Sequence, residues 1–139
     1  MPDLAEQLCR HEGFVGSAYQ DSRGYWTIGY GRLIDKRLGG RISEVEARYL
    51  LHNDIAQCRQ EIQSRWPWSM SLPRPAQDVL CNMCFNLGAS RLSRFPKFLA
   101  ALENRNYSIA ADEMLNSAWA QQVSGRAVEL AGIIRGLGT

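Results

Sequence analysis

Between Gly16 and Ile34 the apolar residues alternate with a period of two, whereas the stretches on either side carry the spacing of helices. A chain of 139 residues with this one change of period is constrained to an order of helix, small β hairpin, long helix and helical bundle. The fold class is therefore α+β, mostly helical. Within the period-two stretch, Asp21-Ser-Arg-Gly24 has turn chemistry, with Asp at the first position and Gly at the last. Strand alternation predicts Trp26, Ile28 and Tyr30 on one face and Tyr25, Thr27, Gly29 and Gly31 on the other. Beyond Thr27 that second face is glycine alone, which weakens a strand unless a ligand or another backbone must come close.

The helices are delimited by their own signals. Asp3, with Glu6 three residues on, predicts a first helix over about 3–11; Leu4, Leu8 and Glu12 share one face with Ala5 and Cys9, and Gly13 stops it. Ser43-x-x-Glu46 is a capping box, and apolar residues at 47, 50, 51, 55, 58 and 62 predict one helix to about Ser64. At 1.5 Å per residue it spans roughly 30 Å, enough to join two lobes. Trp66-Pro67-Trp68 ends it. Ala76, Val79, Leu80, Met83, Cys84 and Leu87 then form a core stripe closed by Gly88. Shorter helices are expected over Phe95–Leu102, over Ile109–Leu115 after Asn106, and from Ser124 to about Arg135.

Composition excludes several classes. No apolar run approaches the roughly 20 residues that cross a bilayer. The stretch MPDLAEQLCRHE lacks a basic and an apolar signal region, so synthesis in the host cytoplasm is expected, with no membrane anchor. The formal net charge is +2, and its fourteen Arg and two Lys are interleaved with acids, which does not supply the basic recognition face of a nucleic-acid binder. The densest basic stretches, Arg32–Arg41 and Arg91–Lys97, read as solvated faces or as mild attractors of a polyanion such as a bacterial cell wall. Of the four cysteines, Cys81-x-x-Cys84 resembles half a zinc site, but no second pair follows at a suitable spacing. Buried thiols are the expected reading; no metal and no cofactor are expected.

Two acids stand out. A carboxyl that continues an apolar stripe at a helix C-terminus, as Glu12 does, loses water on burial and meets the negative end of the helix dipole. Both effects favour its protonated form, as a general acid requires. Asp21, in a turn, stays solvated and ionised. One protonated and one ionised carboxyl across a groove is the device of glycosidases. Thr27, beside the bare glycine face, can hold a water by its hydroxyl.

The pattern E-G-x(5)-Y-x-D-x-x-G-x-x-T-I-G-x-G, from Glu12 to Gly31, closely resembles the signature of phage-type lysozymes, the endolysins of glycoside hydrolase family 24. CNMCFNLG over 81–88 resembles that family's central buried helix, and GRAVE over 125–129 its R-x-x-E element. The resemblance implies one lysozyme-like domain over 1–139, with a small β lobe at about 14–42, a connecting helix at about 43–65 and a helical lobe of 1–13 plus 66–139. It implies a muramidase that hydrolyses the β-1,4 bond between N-acetylmuramic acid and N-acetylglucosamine in peptidoglycan, with inversion. Glu12 would protonate the leaving oxygen, and Asp21 and Thr27 would activate water. Leu33 and Phe85 match positions lining the sugar cleft, and Arg126 matches an arginine that approaches the catalytic Glu.

Some positions depart from the pattern. Arg32 stands where the family commonly has His. Phe98 and Glu113 align with cleft positions that are small or polar in the T-even phage enzyme, so Phe98 is expected in the core and Glu113 at the surface. Only eleven residues separate Gly31 from Ser43. The competing readings are a lytic transglycosylase, for which an Asp21–Thr27 pair is superfluous, and a non-catalytic wall-binding module, which predicts degenerate catalytic positions. Expected partners are the glycan strands of peptidoglycan and a holin that opens the membrane; a monomer is the simplest state.

Overall fold

A computed structural model describes residues 3–34 and 40–138. Residues 35–39, which belong to the basic stretch and to the small lobe read from the sequence, lie outside the described residues. The chain divides into two compact units, 1–50 and 51–139.

The first unit opens with helix α1 (Leu4–Glu12), capped where Asp3 accepts the Glu6 N–H at 2.9 Å. Gly13 ends it with φ +72°, its N–H reaching the Cys9 carbonyl at 2.9 Å. Strands β1 (Val15–Gln20), β2 (Trp26–Gly29) and β3 (Arg32–Leu33) follow as a three-stranded antiparallel sheet in the order β1-β2-β3. Tyr19 pairs with Thr27 and Thr27 with Leu33, and the β1–β2 register slips at a bulge between Val15 and Tyr19. The glycines expected on one strand face instead break the strand. Gly29 and Gly31 have φ of +72° and +67°, so the chain turns at Tyr30–Gly31 and returns as β3.

Helix α2 (Glu44–Arg65) starts at the expected capping box: Glu46 N–H donates to Ser43 Oγ and Ser43 N–H to Glu46 Oε1, each at 3.1 Å. Its stripe is covered toward its end only. Ile62 is buried and Ile55 and Cys58 are half-buried, whereas Ala47, Leu50 and Leu51 are exposed. A 3-10 turn over Pro67–Ser71 follows, where Pro67 cannot donate to a continuing helix.

The second unit holds the core. Helix α3 (Arg74–Leu87) buries Ala76, Val79, Leu80, Met83 and Cys84 as the stripe predicts, and Gly88 closes it with φ +84° and a 2.7 Å bond to the Cys84 carbonyl. Short α4 (Ala89–Leu92) leads to α5 (Pro96–Glu103), α6 (Tyr107–Leu115), α7 (Ala118–Gln122) and α8 (Ser124–Gly136). Leu80, Leu92, Phe98, Leu102, Met114 and Ile134 are fully buried around α3, and α6 packs against both α5 and α8. No helix among the described residues is long and apolar enough to cross a membrane.

Candidate active site

Glu12 is the last residue of α1, where Gly13 turns the chain into the hairpin. Phe14, two residues on, sets its ring against Tyr30 at 5.5 Å between centroids. That contact ties the end of the helix to the β2–β3 turn, and Gly31 in this turn lies directly under the Glu12 carboxylate. A Cβ on Gly31 would stand 2.8 Å from Glu12 Cδ and 3.2 Å from Cγ, closer than side chains pack. The glycine that the strand pattern reserved for a ligand is thus where the catalytic candidate itself rests.

Glu12 is exposed, which departs from the burial expected of its stripe. The reason lies in α1: none of its residues is buried, and Leu4 and Leu8 are 66% and 45% exposed. The spacing was right about the apolar face and silent about what covers it.

Asp21 sits in the expected turn, half-buried. Its Oδ1 accepts the N–H groups of Arg23 and Tyr25, both at 2.9 Å, and the Gly24 N–H closes the turn onto the Asp21 carbonyl at 2.9 Å. Oδ2 makes no hydrogen bond among the described residues. The Tyr25 carbonyl accepts both the Asp21 N–H at 2.8 Å and the Thr27 hydroxyl at 3.2 Å. One main-chain oxygen therefore holds Asp21 and Thr27 in register. Thr27 is only 3% exposed, and because a carbonyl cannot donate, its hydroxyl proton is committed to Tyr25. A water on Thr27 must donate to Oγ1.

Tyr25 acts through its backbone, and the sequence reading missed it; a main-chain carbonyl has no residue signature. Arg32 pairs with Glu46, which is also the capping-box acid of α2. The Arg32 hydrogen bond, then those from Ser43, hold the Glu46 carboxyl down to about 2.

Leu33 lies exposed on β3 of the first unit. Phe85 on α3 and Arg126 on α8 come together in the second, both bordering a cavity of about 310 Å³ whose floor includes Cys81. Asp78 at its rim binds Arg59 at 2.9 Å and Arg74 at 3.1 Å, and these hold its carboxyl below the usual range. Cys81 and Cys84 are buried thiols; burial pushes Cys81 up and, with Cys58 beside it, Cys84 to about 12. Phe98 is in the core, as expected, and Glu113 is half-buried.

A hairpin unit carrying two carboxyls and a buried hydroxyl, on an otherwise helical chain, defines a lysozyme-like glycoside hydrolase. The family model described as phage lysozyme matches residues 9–136, and the chain belongs to that family. It is similar to the pre-baseplate central spike protein Gp5 of Enterobacteria phage T4, 31% identical over 156 residues, covering 94% of this chain and 27% of that protein. It is similar also to the endolysin of Acyrthosiphon pisum secondary endosymbiont phage 1, at 30% over 127 residues, 91% of this chain and 84% of that one. A probable T4-type lysozyme 1 of Dictyostelium discoideum is 25% identical over 157 residues, 94% of this chain and 92% of that one.

Proposed function

We propose that the protein is an endolysin muramidase that hydrolyses the β-1,4 bond between N-acetylmuramic acid and N-acetylglucosamine in peptidoglycan, with inversion. Membership of the phage lysozyme family supports the reaction class. The observation that carries the residue roles is the shared Tyr25 carbonyl, which locks Asp21 and Thr27 together while leaving Asp21 Oδ2 open. A water that donates one proton to Thr27 Oγ1 and the other to Asp21 turns a lone pair outward. Asp21 takes the proton as that oxygen attacks the anomeric carbon. Glu12 delivers its proton to the departing oxygen from the other face, and displacement by water inverts the centre. Leu33 and Phe85 serve as sugar contacts and Arg126 as a supporting cation. The reaction as written draws on side chains and water alone. A holin supplies access to the wall, and the protein acts there as a monomer.

The test is release of reducing ends from purified peptidoglycan by wild type and Glu12→Gln. New reducing ends from wild type alone support the reading, and the first-formed anomer, followed by NMR, reports inversion. Solubilised wall with 1,6-anhydro ends would instead mark a transglycosylase. No release by either protein, on wall that a control lysozyme digests, would leave a wall-binding module.

A further inference from the structure

The basic stretch Arg91–Lys97 finds no place in the chemistry above. In the second unit it forms the rim of a pocket of about 550 Å³, between the α4–α5 connection and the α6–α7 corner. Arg91, Arg94 and Lys97 line it, and none of the three makes an ion pair among the described residues. Arginines elsewhere in this unit are matched: Arg59 and Arg74 to Asp78, and Arg135 to Asp112. Three cations face a single lining carboxylate, that of Glu113.

The wall beneath them is apolar. Phe95 and Trp119 meet edge to face at 6.4 Å, and Trp119 is fixed by its indole N–H, which donates to Asn86 at 2.8 Å. Asn116 and Gln122 line the same pocket, and their side-chain amides make no hydrogen bond among the described residues. An aromatic wall, unused amides and an unpaired cationic rim match a short peptide carrying free carboxylates. A phosphodiester polymer would use the rim and leave the aromatic wall and the amides idle.

We propose that this pocket binds the peptide branch of the glycan substrate, its carboxylates on Arg91, Arg94 and Lys97 and an ammonium of a diamino acid on Glu113, so that the enzyme selects peptide-bearing strands. The inference rests on the muramidase reading, and it adds a determinant of specificity distant in sequence from the hairpin. Exposed ion pairs contribute little singly, but three converging on one ligand amount to roughly tenfold in affinity.

The experiment compares wild type with Arg91→Gln/Arg94→Gln/Lys97→Gln on glycan strands bearing stem tetrapeptides and on strands stripped by an amidase. A free stem tetrapeptide with two carboxylates is titrated calorimetrically in parallel. These side chains are exposed and unpaired, so the variant keeps its fold, checked by its Tm. Wild type is expected to prefer peptide-bearing strands by roughly tenfold in kcat/KM, through KM. The variant is expected to lose that preference and the calorimetric signal while keeping its rate on stripped strands. Equal losses on both substrates, no loss on either, or tetrapeptide binding unchanged in the variant would overturn the proposal. So would competition by poly(glycerol phosphate) where the tetrapeptide has no effect. Should wild type cleave neither glycan yet bind the tetrapeptide through these residues, the muramidase reading fails and the peptide site stands.

Discussion

Gly31→Ala separates the placement of the Glu12 carboxyl from every other consequence of altering the hairpin. Two costs follow from the geometry. The first is backbone strain, since φ at Gly31 is +67°, a region that costs a residue with a Cβ about 1–2 kcal/mol. The second is overlap: the new Cβ would stand 2.8 Å from Glu12 Cδ, where carbon atoms pack at about 3.5–4.0 Å. The carboxyl must retreat by ~0.7 Å or more, and a misplacement on that scale costs on the order of a hundredfold in rate. The hairpin supplies its own control, because Gly29 has φ +72° but nothing within 4 Å of its Cβ position.

Gly31→Ala and Gly29→Ala are therefore expected to lose similar stability, about 1–2 kcal/mol, which urea titration measures. Only Gly31→Ala is expected to lose about a hundredfold in release of reducing ends, and the loss should lie in kcat. A rise in KM with kcat intact would mean that the Cβ obstructs the glycan and leaves the acid in place. Equal activities for the two variants would refute the argument that Gly31 sets the position of Glu12.

Other expectations follow from the same contacts. Asp21→Asn keeps the side-chain oxygen that accepts from Arg23 and Tyr25, so it should hold its Tm while losing activity; Asp21→Ala should lose activity and, with both bonds gone, about 1–3 kcal/mol of stability by urea titration. Glu46 is held down to about 2, so its contribution is present above the ordinary carboxylate value of 4.5 and is lost as pH falls toward 2. The Tm difference between wild type and Glu46→Gln should accordingly shrink across that window; a difference independent of pH would count against the Arg32 pair. Leu80→Ala, at 0% exposure on α3, should cost about 2–5 kcal/mol, and an unchanged urea midpoint would contradict the core assignment.

Signals confined to a few neighbouring residues were legible in the sequence. Asp21 and Gly24 marked their turn, Ser43 and Glu46 the start of α2, Gly88 the end of α3, and the α3 stripe named the centre of the core. Helix α7 was not, because its five residues are too short to show a helical period. The α2 stripe identified an apolar face along the whole helix, although only its later part is covered, since spacing fixes direction and not the neighbour.

Gly29 and Gly31 show why the site itself was only half readable. Period two assigns both to a strand face, and a glycine in a turn fits the same alternation, so the pattern could not tell a bare strand from its end. The structure resolves the ambiguity in favour of the turn, and the turn is what puts Gly31 under Glu12. The Asp21–Thr27 linkage likewise runs through the Tyr25 carbonyl, a group every residue possesses. One support works by lacking a side chain and the other by using none. The site is therefore encoded in the intervals from Glu12 to Asp21 and from Asp21 to Thr27 more than in the residues between them. An insertion between Asp21 and Tyr25 should then be more damaging to activity than any replacement of the exposed Ser22 or Arg23 side chains.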